Sequence, residues 1–218
     1  KTNFTTVDEY IASCPEETRG RLQEIRAAVR AAVPDAKEKI SYQIAAFELN
    51  FSCPNVKTGN IVGSVPEETE AMMARLRPRS AKPMIAKLSP STSRPEDVAE
   101  AAQSAGADAV SMINTLPGMA FDPNTAKPWL GAGSGGISGP AIRPVALAQV
   151  ARAAERVDIP LIGMGGVQSG RDAAELIAAG ATLVAVGTEN FRDPAAGCRI
   201  LSELSELKDE ELDRRIEH

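Results

Sequence analysis

The chain has 218 residues, 43% of them apolar but only 4% aromatic, so a sizeable core is possible and must be filled by Ala, Val, Ile, Leu and Met. A net charge of −5 without clustered Lys and Arg excludes a nucleic-acid footprint. No apolar run reaches the roughly 18 residues of a membrane span, Lys1 to Thr6 is polar with no leader-like apolar core, and three widely spaced cysteines suit a reducing cytosol, so a cytoplasmic protein is expected.

Residues 6 to 33 read as two helices. Thr6 and Glu9 have capping-box spacing, and Pro15 suits the first position of the second helix, followed by Glu16 and Glu17 near its positive end. Leu22, Ile25, Val29 and Val33 then share one face, and Pro34 ends the helix. Ile40 to Asn50 is β-like. Beyond Asn50, strand and helix signals alternate. Met84–Lys87, Ala109–Ile113, Pro160–Gly163 and Leu183–Val186 are short apolar runs without polar alternation, as in parallel strands buried on both faces. Ser93-Arg94-Pro95-Glu96 predicts a helix start with a cap, an N1 proline and a capping-box glutamate. Ser169 predicts the cap of a helix that stops at Gly180. Leu116 to Gly139 is too long for a passive connection and predicts a functional loop.

A repeat supports the barrel pattern. Lys82-Pro83-Met84-Ile85-Ala86 recurs as Ile159-Pro160-Leu161-Ile162-Gly163. Ala105-Gly106-Ala107-Asp108-Ala109-Val110 recurs as Ala179-Gly180-Ala181-Thr182-Leu183-Val184. The predicted class is α/β: a partial (β/α)8 TIM barrel of about five parallel strands, counted from Phe47, with an N-terminal helical hairpin and one extra β segment at Ile40–Ala45. A closed barrel has eight strands and typically about 250 residues, so three strands are lacking. The expected division is 1–45 for the hairpin and β segment, 46–205 for the barrel fragment and 206–218 for a helical tail.

Polar residues gather at the predicted strand ends. Glu48-Leu49-Asn50-Phe51-Ser52-Cys53-Pro54-Asn55 places Cys53 between Asn50 and Asn55 after one strand. Lys87 and Asn114-Thr115 follow the next two. Gly163-Met164-Gly165-Gly166 and Val186-Gly187-Thr188 close the last two, where barrels hold a phosphate by backbone N–H groups and a helix N-terminus. Each feature has a plainer reading: tight turns for the glycines, a solvated lysine, asparagine loop caps, and a small buried cysteine. Their convergence at one barrel mouth favours a small-molecule site. Cys14, Cys53 and Cys198 are spaced for neither a disulfide framework nor a metal site. The single histidine, His218, is the last residue, so neither a metal centre nor histidine catalysis is expected.

This series, in this order, resembles class 1 dihydroorotate dehydrogenase over residues 46 to 205. The resemblance implies FMN as cofactor, with Lys87 at the flavin ring and ribityl chain. Gly139 belongs to the flavin-side loop Ser134–Gly139, and Gly165, Gly166, Gly187 and Thr188 hold the phosphate. Asn50, Asn55, Asn114 and Thr115 would bind a pyrimidine substrate. Cys53 would take the C5 proton while hydride leaves C6 for the flavin, a role worth about 10²–10⁴ in rate.

Residues 5 to 47, through Thr5–Ala12 and Asp35–Tyr42, resemble the first portion of a small bacterial iron-chaperone-like domain. Two incomplete families meeting near Ala45-Ala46-Phe47 imply an engineered chimera with weakened FMN binding and little or no catalysis. A functional FMN-dependent oxidoreductase acting on dihydroorotate is the alternative, and an iron-handling or interaction module is a third reading. The exposed barrel edge would be covered by the N-terminal segment or by homodimerisation.

Overall fold

In the computed structural model the described residues are 7–13, 16, 19, 20, 23, 47–52 and 61–207. Thr6, most of the expected second helix, the Ile40–Ala45 segment and the tail beyond 207 lie outside them, as do Cys53 and Asn55. A helix covers Val7–Ser13, with Asp8 and Glu9 in its first turn.

Five strands form one sheet: β1 (Phe47–Asn50), β2 (Met84–Lys87), β3 (Ala109–Met112), β6 (Leu161–Met164) and β7 (Leu183–Ala185). Their order is β1-β2-β3-β6-β7 and every pairing is parallel. Each strand lies beside the one before it in the sheet, so the winding never reverses. That is the winding of a barrel wall and differs from an open doubly wound sheet, whose strand order turns back at a switch point. The fold is therefore α/β with five parallel strands, consistent with a partial TIM barrel.

Successive side chains point to opposite faces of a strand. On the outer face Met84, Ala86, Val110, Met112 and Leu161 are buried. They meet Val98, Ala99 and Ala102 of the helix Pro95–Ser104, Ala146, Val150 and Ala153 of the helix Arg143–Ala154, and Ala173 and Leu176 of the helix Gly170–Ala178. Alanine on the helical side brings backbone close to sheet, which is how a core so poor in aromatics stays filled. Each fully buried Val, Leu or Met contributes roughly 1.5–3 kcal/mol. The inner face carries Glu48, Asn50, Lys87 and Ser111, and at its far edge Leu183 is 59% exposed.

Ser169 caps the helix Gly170–Ala178: its side chain accepts from the Asp172 N–H in a reciprocal capping box, and Gly180 follows at φ +106°. The Pro95 helix begins differently from expectation. Arg94 holds the N-cap position, no side chain caps it, and Glu96 Oε1 instead pairs with Arg152 at 2.5 Å. The stretch from Leu116 to Gly139 contains an antiparallel ribbon of β4 (Leu116–Gly118) and β5 (Gly135–Ile137), with a further bridge between Phe121 and Pro128. Pro117, Gly118, Gly135 and Gly136 are poor strand formers, which is why the sequence read as loop.

Candidate functional site

The parallel strands end together, and their C-terminal ends open onto a cleft of about 530 Å³. Lys87, Asn114, Thr115, Gly139, Gly165, Gly166, Gly187 and Thr188 all line it, so one concavity gathers residues from four βα junctions and from the end of the β5 ribbon. Asn50 is not in the lining. Its Oδ1 accepts from Ser52 N at 3.2 Å, from Ser52 Oγ at 3.1 Å and from Asn114 Nδ2 at 3.4 Å. Asn50 thus fixes the β1 turn and orients Asn114. Asn114 Oδ1 in turn accepts from the Thr115 N–H at 2.7 Å. Cys53 and Asn55 follow this turn, outside the described residues.

On the cleft floor, Glu48 stands two residues before Asn50 on the same strand face. Its Oε1 accepts from the buried Ser111 Oγ at 2.7 Å, and its Oε2 lies 4.0 Å from Lys87 Nζ. The Lys87 ammonium therefore meets the cleft already facing a carboxylate.

At the other end the backbone forms a cradle. Gly166 has φ +75°, and a Cβ there would lie 2.7 Å from the Gly139 carbonyl oxygen, so two loops cross in contact. Gly187 caps the single 3₁₀ turn Thr188–Phe191, and a Cβ at Gly187 would meet nothing within 4 Å. The first N–H groups of such a turn have no partner inside it. The helix N-terminus expected to help here is already occupied. The Asp172 carboxylate accepts from Gln168 N at 2.9 Å and Ser169 N at 3.0 Å and is ion-paired with Arg143, while Gly170 N donates to Glu203 Oε2 at 2.7 Å. The glycine loops, and not this helix N-terminus, are the candidate anion cradle at this end of the cleft.

Behind the cradle, Arg199 Nη1 bonds Glu203 at 2.8 Å, its Nε bonds Asp193 at 2.9 Å, and its Nη2 lies 3.4 Å from Glu189. The Arg199 guanidinium, and then the Gly170 N–H, hold the Glu203 carboxyl below its ordinary value. Arg199, and then the Ala195 N–H, lower Asp193 in the same way. Sequence reasoning missed Glu48, Ser111, Gln168, Glu189 and Arg192. For Glu48 a signal existed, because period-2 spacing sets it on the face of Asn50. The others depend on contacts between separate loops. The lining residues and the cleft volume fit a flavin mononucleotide: two glycine loops for a phosphate, a lysine, and Asn114 and Thr115 as hydrogen-bonding residues.

Among known proteins, the dihydroorotate dehydrogenase family matches residues 30–207. The catalytic subunit of dihydroorotate dehydrogenase B (NAD(+)) from Bacillus cytotoxicus is 49% identical over 168 residues, which is 77% of this chain and 54% of that protein. The subunit from Bacillus mycoides gives the same identity and coverage. The chain spans about half the length of these curated relatives. In fold it resembles the DHODH of Eimeria tenella solved in complex with ferulenol, at TM-score 0.59 and 21% identity, over 73% of this chain and 48% of the other. The ligand-free Eimeria tenella enzyme gives TM-score 0.56 at 21% identity, over 73% and 50%.

Proposed function

The chain belongs to the dihydroorotate dehydrogenase family, and from that premise we propose that it binds FMN in the cleft and serves in the oxidation of dihydroorotate. The observation that carries this reading is the convergence of Lys87, Asn114, Thr115, Gly139, Gly165, Gly166, Gly187 and Thr188 on one concavity. FMN, when bound, would supply the two-electron acceptor. The chain's own groups do the rest. The Gly165-Gly166 and Gly187-Thr188 backbone would hold the phosphate. The Lys87 ammonium would favour negative charge on the ring. Asn114 and Thr115, steadied by Asn50, present hydrogen-bonding groups to a planar pyrimidine. Cys53 is assigned as the base that receives the substrate proton, and Asn55, two residues on in the sequence, as a further substrate ligand. An ordinary thiol has a pKa of about 8.5, so this assignment needs a thiolate-favouring neighbour.

A second reading keeps the same fragment in an engineered chimera with weakened FMN binding and little catalysis. It draws on five parallel strands in the sheet of the described residues and on the exposed inner face at Leu183. In it, residues 5–47 come from another family, although the dihydroorotate dehydrogenase match already begins at residue 30. The functional reading has the better support. An iron-handling role draws on residues 5–47, most of which lie outside the described residues; among the described residues no group of three or more His, Cys, Asp or Glu is placed to hold a metal ion. Among them, too, no helix is long and apolar enough to cross a membrane. A cytoplasmic setting and a homodimer closed over the inner face complete the proposal, with no nucleic-acid partner.

The test is FMN titration followed by a turnover assay with dihydroorotate, on the chain and on Cys53→Ala. Saturable quenching of FMN fluorescence by both proteins, with turnover only in the parent, is expected. Absence of quenching would remove the FMN reading. Quenching without turnover in the parent would favour the inactive chimera.

A further inference from the structure

We propose that Arg192 is a side-chain ligand for phosphate in this cleft, and that Glu189 beside it sets how strongly the site selects a phosphorylated flavin over riboflavin. The inference rests on the FMN reading and deepens it. Among the described residues four charged side chains line the cleft: Glu48 and Lys87, paired at the floor, and Glu189 and Arg192, at the glycine cradle. At that end, among the described residues, Arg192 is the cationic side chain in the lining, beside the backbone amides of the glycine loops.

Glu189 is held from several sides. It is 8% exposed, accepts from Gln168 Nε2 at 3.0 Å and lies 3.4 Å from Arg199 Nη2. Arg192 is held loosely. Its side chain is 72% exposed, and its contact with Glu189 is a 3.5 Å, i to i+3 pair at the edge of hydrogen-bond distance. Leaving that contact costs Glu189 little, because Gln168 and Arg199 remain. A phosphomonoester carries about −1.5 to −2 charge near pH 7. Set in the cradle, it would be repelled by the buried Glu189 carboxylate unless a cation stands between them. Arg192, four residues after Thr188 at the end of the same 3₁₀ turn, is placed to bridge the two. Its planar fork suits phosphate oxygens. Riboflavin has no phosphate, so its binding should not sense either side chain.

The experiment compares Arg192→Gln, Arg192→Lys and Glu189→Gln with the parent chain. Dissociation constants for FMN and riboflavin come from fluorescence quenching. Inorganic phosphate is titrated separately, with the amide resonances of Gly166, Gly187 and Thr188 as reporters. Arg192→Gln should weaken FMN by about five- to tenfold and leave riboflavin unchanged, Arg192→Lys should recover part of the loss, and Glu189→Gln should tighten FMN. The dependence of FMN binding on salt should also flatten in Arg192→Gln. Equal weakening of FMN and riboflavin would overturn the proposal, because the side chain would then act on the ring or on the fold. So would unchanged FMN binding in Arg192→Gln, which would leave the FMN reading intact. If the parent binds phosphate at these amides but not FMN, and Arg192→Gln abolishes the phosphate shifts, the inference stands and the FMN reading falls. If the parent binds neither, both fall.

Discussion

Two glycine-to-alanine substitutions separate the cradle's structural role from its binding role. At Gly166 an added Cβ would sit at φ +75°, 2.7 Å from the Gly139 carbonyl oxygen, 2.9 Å from Arg143 Cβ and 3.1 Å from Pro140 Cα. A left-handed non-glycine residue costs roughly 1–2 kcal/mol, and forcing an extra methyl into a packed contact about 1–3 kcal/mol more. The oxygen is backbone, so no rotamer change relieves the contact, and the Gly139 loop must move. Gly166→Ala should therefore lose about 2–5 kcal/mol, which for a chain of this size lowers the midpoint of thermal unfolding by on the order of 10 °C. It should also lose FMN binding. At Gly187 a Cβ would meet nothing within 4 Å, and φ is −107°. Gly187→Ala should stay within about 1 kcal/mol of the parent. On the proposed reading its methyl would take up space meant for the phosphate, so FMN should weaken. Calorimetry and FMN fluorescence quenching on the same samples give both quantities. A Gly166→Ala protein as stable as the parent would refute the crossing of the two loops. A Gly187→Ala protein that binds FMN normally would refute the placing of the phosphate.

Other outcomes follow from the same geometry. Glu48→Gln keeps an acceptor for Ser111 but removes the negative partner of Lys87. Folding stability should change by less than about 1 kcal/mol, while bound FMN becomes easier to reduce, which a redox titration against a dye of known potential reads directly. Arg199 lowers the pKa of both Glu203 and Asp193, so the stability they contribute is complete above their ordinary range of about 4 and is lost as pH falls through the lower folded-state values. Arg199→Met should flatten that acid limb of the unfolding midpoint between pH 7 and 3, and an unchanged pH profile would count against the network. Leu176 is fully buried behind Gly163, so Leu176→Ala should cost about 2–5 kcal/mol in urea unfolding without altering the spectrum of bound FMN.

The sequence by itself determined the strands of the barrel wall, their order and which residues stand at their ends. Short apolar runs, turn glycines and Ser169 act over a few residues, so Met84–Lys87 and the helix from Gly170 are readable without their neighbours. The same local signals located Lys87, Asn114, Thr115 and the glycine loops, because a residue at a strand's C-terminal end in a parallel barrel faces the mouth. The ribbon of β4 and β5 was not legible: its proline and glycines carry no strand signal, and pairing across the loop forms it. The tertiary structure alone decided that Asn50 serves the β1 turn and Asn114, and that the helix N-terminus beside the cradle is already filled by Asp172 and Glu203. It also decided that Glu48 reaches Ser111, 63 residues away, and stands against Lys87. Sheet register places such pairs side by side, and register is a property of assembled strands, to which no single segment of sequence carries the key.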